Sequence, residues 1–149
     1  MSLKKNIIES INIRKKLFLE EKKIKIIADK IYKTLLKDKK ILICGNGGSA
    51  ADAEHLSTEY IVRLKKNNNR APIKMFSLTF NMATITATAN DYSYNDIFSR
   101  NLESLGDTGD LLLVLSTSGN SKNIINVLKK AKSKNKRKHR VWGQGPASG

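Results

Sequence analysis

Apolar residues near the start of the chain recur at steps of three and four positions, which is the spacing of one helix face. Their positions are Leu3, Ile7, Ile8, Ile11, Ile24, Ile27, Ile31 and Leu35. This spacing predicts helix over residues 3–37. Two helices that break near Glu20 and Glu21 fit the pattern better than one continuous helix. Their apolar faces need a partner, either the core of the protein or another subunit.

From residue 40 onwards, short apolar runs alternate with helical patterns. Continuous apolar runs of this kind are typical of buried parallel strands. The predicted strands are residues 40–44, 73–78 and 110–115, and the predicted helices are residues 49–64, 81–89, 94–105 and 121–134. The alternation predicts an α/β fold with right-handed crossovers around a parallel sheet. No further strand or helix is predicted after residue 134.

Composition excludes several classes of protein. The chain has 149 residues, of which 40% are hydrophobic and 28% charged, as in one globular domain rather than a disordered chain. No apolar run approaches the ~20 residues of a membrane span, and the N-terminal segment lacks the apolar core of a signal peptide. We therefore expect a cytoplasmic protein without a membrane partner. Cys44 is the only cysteine and ends an apolar run, which predicts a buried thiol without a disulfide.

The net charge of +15 is concentrated at the two ends of the chain. Residues 1–40 hold 13 Lys or Arg against 5 Asp or Glu, and residues 121–149 hold 9 against none. Residues 41–120 hold 6 against 8. A basic nucleic-acid-associated protein is one alternative. Aromatic residues do not interleave the basic runs as a base-stacking surface requires, so nucleic acid is not the partner we expect.

Two loops between a predicted strand and a predicted helix contain the candidate chemistry. The first, residues 45–49, is rich in glycine, which lets the backbone approach a ligand closely. The second, residues 116–121, is rich in Ser and Thr. Ligands of parallel α/β sheets bind beyond the carboxyl ends of the strands, where helix N-termini attract anions. Ordinary turns and helix caps are the alternative for either loop alone, but the two loops together predict a phosphate site.

The first loop matches neither of two familiar nucleotide motifs. Residues 45–50 end in Ala50 where a dinucleotide fingerprint has its third glycine or an alanine, and no acidic residue lies about 20 positions further on. The Gly-Lys-Ser/Thr sequence of a Walker A loop is also absent.

His55 and Glu59 are four positions apart on the helix that follows the first loop, so they share one face. Such a pair can supply two metal ligands, or one ligand and a general base. An ordinary surface pair is the alternative. Arg63 continues the same face in the predicted helix and could meet a substrate oxygen.

These residues together resemble the sugar isomerase (SIS) domain and, within it, the phosphoheptose isomerases. The resemblance rests on Cys44–Ala53 with His55 and Glu59, Asn90-Asp91-Tyr92, Phe98 with Arg100, Gly109-Asp110, and Ser116–Ser121. It implies a three-layer αβα sandwich around a central parallel sheet. Residues 1–38 would be N-terminal helices for oligomer packing, and residues 39–134 the SIS phosphosugar-binding core. We interpret residues 135–149 as an atypical basic tail, for which truncation or a shift of reading frame fits the abrupt change in composition better than a naturally short C-terminus.

The resemblance implies conversion of sedoheptulose 7-phosphate to D-glycero-D-manno-heptose 7-phosphate by proton transfer through an enediol. It implies zinc as cofactor and a homotetramer in lipopolysaccharide biosynthesis. The phosphate would be held by Ser116, Thr117, Ser118 and Ser121. The sugar would be bound by Asn46, Gly47, Ser49, Arg63, Asn90 and Asp91. His55 and Glu59 would be catalytic and would bind the zinc.

The sequence departs from this family after residue 134. Family members continue through further strands and a C-terminal helix that supplies a Gln and a His to the same site. His139 and Gln144 come in the reverse order, so those roles are not assigned to them. The expected fold therefore lacks a C-terminal strand and helix. A non-catalytic SIS module that binds a phosphosugar or a protein partner, as in the replication-initiator-associating relatives, is the alternative function.

Overall fold

A computed structural model describes residues 2–133 and the backbone of residues 140–143. The chain divides into two compact units, residues 1–33 and residues 34–149. The domain boundaries predicted after residues 38 and 134 stay predictions. Among the described residues, no helix has the length and apolarity that crossing a membrane requires.

The first unit is helical. Helix α1 covers Leu3–Lys16, a 3-10 turn covers Leu17–Glu20, and α2 covers Glu21–Leu35, whose last residues belong to the second unit. The Ser2 hydroxyl caps α1 by accepting the N–H of Lys5 at 3.3 Å. The predicted break between two helices is confirmed. No residue of α1 or α2 is buried.

The second unit alternates strands and helices as the sequence predicts. Its elements are β1 (Ile41–Gly45), α3 (Gly48–Ile61), β2 (Met75–Ser77), α4 (Met82–Asp91), α5 (Ile97–Leu105), β3 (Leu111–Leu115), α6 (Lys122–Ser133) and β4 (Arg140–Gly143). A 3-10 turn, Tyr94–Asp96, precedes α5. The strands form one parallel sheet in the order β2-β1-β3-β4.

Strand β1 is covered on both faces of the sheet. Leu42 and Cys44 belong to the main core cluster, together with residues of α5 and α6. Ile41 and Ile43 point to the opposite face, because side chains alternate along a strand, and they are fully buried as well. Burial on both faces explains the uninterrupted apolar sequence of β1 and confirms the predicted α/β class.

Strand β4 differs from the expectation that no strand follows residue 134. Arg140–Gly143 pair in parallel with β3, from Leu111 opposite Arg140 to Val114 opposite Gly143. Val141 and Trp142 are residue types that favour strands, but four residues are too few to give a readable pattern. The open edge of β3 supplies the hydrogen bonds that organise them. The remainder of the predicted basic tail, residues 135–139 and 144–149, lies outside the described residues.

An ion-pair network closes the edge of the sheet opposite the two loops, where β1 and β3 begin. The Asp110 carboxylate is 3% exposed and accepts the backbone N–H groups of Lys40 and Asp107, at 3.1 Å and 2.7 Å. The Lys40 ammonium lies 2.7 Å from Asp110 and 2.6 Å from Asp107. Burial alone would lower the pKa of Lys40, but its hydrogen bonds to Asp107 and Asp110 outweigh burial and raise it. The network thus connects Lys40 with Asp110, which are 70 positions apart in the sequence.

Cys44 is predicted to be unreactive in the native protein. Burial raises the pKa of its thiol to about 12, so almost no thiolate exists at pH 8. A colorimetric thiol reagent should therefore titrate one cysteine only after denaturant is added. Prompt reaction of the native protein would contradict this burial.

The raised pKa of the Cys44 thiol also makes the stability of the fold depend on pH. The neutral thiol stabilises the fold fully below its ordinary pKa of 9.0, and this contribution is lost as pH rises towards about 12. Cys44→Ala should therefore lose less free energy of unfolding over that interval than the original chain.

Candidate functional site

The two candidate loops leave neighbouring strands at the same edge of the sheet. Gly45 and Leu115, the last residues of β1 and β3, are paired in the parallel register. Asn46 and Ser116, which follow them, therefore begin side by side. Two loops that the chain separates by 70 positions are thus adjacent in the fold.

The glycine loop is a tight turn from β1 into α3. Gly47 adopts a positive φ of 53°, and Ser49 donates its N–H to the Asn46 carbonyl at 3.0 Å. A Cβ on Gly45 would lie 2.6 Å from both the Cβ and the carbonyl oxygen of Ser49, so the strand and the first turn of α3 approach too closely for any side chain. Ala50 likewise donates its N–H to the Gly47 carbonyl at 3.0 Å, so the N–H of Gly48 is the one at the helix start that has no partner among the described residues. Such a group can attract an anion.

The hydroxyl loop, residues 116–121, is organised by its own side chains. The Ser116 hydroxyl accepts the N–H of Gly119 at 3.0 Å, and the Ser118 hydroxyl accepts the N–H of Asn120 at 3.2 Å. Gly119 adopts a positive φ of 67°. Because each hydroxyl acts as acceptor inside the loop, its proton stays available to an outside acceptor. Thr117 and Ser118 are exposed, and Ser116 and Ser121 are half-buried.

The Asn46 side chain is held in place by hydrogen bonds from two other elements of the fold. Its side-chain amide exchanges two hydrogen bonds with the amide of Asn123 in the first turn of α6, at 2.9 Å and 2.8 Å. The Tyr94 hydroxyl also donates to Asn46 Oδ1, at 3.2 Å. No role for Asn123 or Tyr94 was predicted from the sequence. The sequence did contain an indication of Asn123, because it is a polar residue beside Ile124 and Val127 on the apolar side of α6.

His55 and Glu59 lie on α3, as the sequence predicts, with Nε2 and Oε1 3.2 Å apart. The His55 side chain is 76% exposed and that of Glu59 is 24% exposed. The helix rise places them about 10 Å and 16 Å along the axis from the start of α3. The Arg70 guanidinium holds the end of this helix, since it donates to the carbonyls of Glu59 and Tyr60 at 2.7 Å each. This role of Arg70 was not predicted from the sequence.

The described residues do not complete a zinc site. A protein zinc site needs at least three N, S or O ligands from side chains. In residues 2–133 and 140–143, no group of three His, Cys, Asp or Glu side chains is placed to hold a metal ion. His55 and Glu59 are thus two donors without a third among the described residues.

Helix α3 is shorter than predicted, and this changes the position of Arg63. The helix ends at Ile61, and Val62 leaves the helical region with φ −91° and ψ −86°. Arg63 therefore does not continue the face of His55 and Glu59, which corrects that expectation; it is exposed beyond the helix end. The physical cause is a tertiary contact, because Arg70 folds back and binds the last carbonyls that another helical turn would use.

Asn90 and Asp91 lie at the C-terminal end of α4 rather than on either loop. The Asn90 amide donates to Asp91 Oδ1 at 2.8 Å. Asp91 lines an open cavity of about 620 Å³ together with Tyr92 and Arg100. The Arg100 guanidinium stacks 4.5 Å above the Tyr92 ring. This cavity offers both a carboxylate and a cation to a polar ligand.

The chain is similar over most of its length to proteins of one group. The SIS domain family matches residues 8–138. A phosphoheptose isomerase of Shewanella denitrificans is 50% identical over 107 residues, which make up 72% of this chain and 54% of that protein. The chain spans between half and two thirds of the length of the curated relatives it matches.

Two solved structures share the fold. A phosphoheptose isomerase from Neisseria gonorrhoeae matches with a TM-score of 0.74 and 33% identity, over 94% of this chain and 73% of that one. A phosphoheptose isomerase from Francisella tularensis matches with a TM-score of 0.80 and 29% identity, over 99% of this chain and 79% of that one.

Proposed function

This chain belongs to the SIS domain family, among the phosphoheptose isomerases, and on that premise we propose that it binds sedoheptulose 7-phosphate across its two loops. The proposed reaction is conversion to D-glycero-D-manno-heptose 7-phosphate. On the family resemblance we also propose a homotetramer that works in the cytoplasm and supplies heptose for lipopolysaccharide.

The main support is the pairing of Gly45 with Leu115, which sets the glycine loop beside the hydroxyl loop. The hydroxyls of Ser116 and Ser118 accept N–H groups inside their own loop, so their protons stay available to a phosphate at this edge of the sheet. A phosphate needs donors from several directions, and this edge supplies them without Lys or Arg. We assign the phosphate to Ser116, Thr117, Ser118 and Ser121.

The proton transfer is assigned to Glu59. An aldose–ketose exchange removes the proton from the carbon next to the carbonyl, passes through an enediol, and returns a proton to the neighbouring carbon. Glu59 is a partly buried carboxylate on the same helix face as His55, and a carboxylate can act as the base that removes this proton. Zinc stays a proposal that needs ligands beyond His55 and Glu59 and beyond the described residues.

Thr117→Ala is expected to weaken sedoheptulose 7-phosphate binding about tenfold, since one hydroxyl donor to a charged phosphate is lost. Calorimetric titration measures this affinity. The matched control is Thr86→Ala, an exposed threonine on α4 whose hydroxyl bonds only to carbonyls of its own helix. Equal affinities of the Thr117→Ala variant and the original chain would remove the hydroxyl loop from the phosphate site.

An isomerase assay with and without added zinc separates catalysis from binding. If the chain turns substrate over, Glu59→Gln should abolish turnover and keep binding. Unchanged turnover in that variant would refute the role of Glu59. Binding without turnover under either condition would favour the alternative, a non-catalytic module.

A further inference from the structure

Asn123 is a buried polar side chain in the first turn of α6, only 1% exposed. Its Oδ1 accepts two N–H groups at 2.9 Å, one from the Asn46 side chain and one from the backbone of Ile124. Its Nδ2 donates to Asn46 Oδ1 at 2.8 Å. The backbone N–H of Ile124 can only donate, so it fixes which end of the Asn123 amide is oxygen.

The orientation of Asn123 determines the orientation of Asn46. In a reciprocal amide pair, Nδ2 of each residue must face Oδ1 of the other. Asn46 Oδ1 is thereby committed to Asn123 and to the hydroxyl of Tyr94. Nδ2 of Asn46 has two N–H groups and uses one of them on Asn123. The second N–H is the remaining hydrogen-bonding group of this side chain with no partner among the described residues.

We propose that Asn123 is a positioning residue that makes Asn46 a pure donor towards the ligand and fixes the glycine loop beside the hydroxyl loop. This inference rests on the proposed binding of a sugar phosphate. The Asn46 side chain then offers only an N–H group, which suits the hydroxyl and carbonyl oxygens of a sugar chain. Free phosphate needs only the hydroxyl loop, so Asn123 discriminates a sugar phosphate from inorganic phosphate.

Asn123→Ala should weaken binding of sedoheptulose 7-phosphate about tenfold or more and change binding of inorganic phosphate by less than about threefold. Asn46→Ala should have the same effect. The double variant should bind no worse than Asn46→Ala, because Asn123 acts through Asn46 and the two effects are then not additive. A loss of stability alone would not change the ratio of the two affinities.

The matched control is Asp110→Ala. Asp110 is also a buried polar residue, 3% exposed, and it accepts the backbone N–H groups of Lys40 and Asp107 at the edge of the sheet opposite the two loops. This variant should lose stability and keep both affinities. Sugar phosphate affinity unchanged in Asn123→Ala would overturn the proposal. A further loss on adding Asn123→Ala to Asn46→Ala would overturn it as well.

A second readout is independent of the ligand. In the nuclear magnetic resonance spectrum of the original chain, the side-chain NH₂ of Asn46 and the amides of Gly47–Ser49 should be protected from exchange relative to Asn123→Ala. If the original chain binds no sugar phosphate, the proposed function fails. This comparison then still tests whether Asn123 holds Asn46 and the glycine loop in place. Equal exchange in the original chain and in Asn123→Ala would refute the inference.

Discussion

Asp110→Ala is expected to lower the free energy of unfolding by about 3–5 kcal/mol, the range found when one partner of a buried ion pair is removed. The carboxylate accepts two backbone N–H groups and the Lys40 ammonium, and it is 3% exposed. Its removal leaves the N–H of Lys40 without its acceptor at the start of β1. Urea denaturation followed by circular dichroism measures the change.

Asp107→Ala is the control for this variant. Asp107 also pairs with the Lys40 ammonium, but its side chain is 75% exposed, so water screens the pair. Its replacement should cost no more than about 1 kcal/mol. Similar losses in the two variants would mean that the buried carboxylate adds nothing beyond a surface charge, and the structural role given to Asp110 would be wrong.

Gly45→Ala should destabilise the fold by about 1–3 kcal/mol, as added atoms in a packed site do, and should also weaken sugar phosphate binding. The new Cβ would lie 2.6 Å from the Ser49 carbonyl oxygen. That atom belongs to the backbone of α3, so rotation of a side chain cannot relieve the clash. The helix start must shift, and the donors of the glycine loop shift with it. Denaturation and calorimetric titration measure the two effects.

Gly48→Ala provides the stability control three residues away. A Cβ on Gly48 would meet no atom within 4 Å, and the residue is already helical. Alanine favours helix over glycine, so this variant should be as stable as the original chain or slightly more so. If both substitutions were tolerated equally, the close approach of β1 and α3 at Gly45 would be refuted.

Much of the fold could be predicted because many of its helices and strands are marked by patterns of neighbouring residues in the sequence. Ile41–Cys44 form an uninterrupted apolar run because both faces of β1 are buried, and a run of that kind is visible without the structure. The break in the N-terminal helices is similarly visible, since two apolar series flank Glu20 and Glu21. The position of both loops at the carboxyl edge of the sheet also followed from general rules for parallel sheets, whereas the pairing of β1 with β3 that makes them neighbours did not.

Other features depend on contacts between distant positions and have no local pattern. Asn123 is an ordinary polar residue in the sequence, and its role depends on Asn46, 77 positions away. The end of α3 at Ile61 depends on Arg70, which folds back from a loop. Strand β4 depends on the edge of β3. In each case the tertiary partner, rather than intrinsic propensity, decides the local structure.

The sheet order also bears on how the chain folds while it is being synthesised. Strand β1 leaves the ribosome first, but β3, one of its two neighbours, follows 70 residues later. At about 5–20 residues per second, this delay lasts roughly 4–14 s. Through that time β1, whose five residues are all buried in the folded protein, has at least one open edge. The nascent chain is therefore most exposed to aggregation, and most in need of a chaperone, between the emergence of Gly45 and that of Leu115.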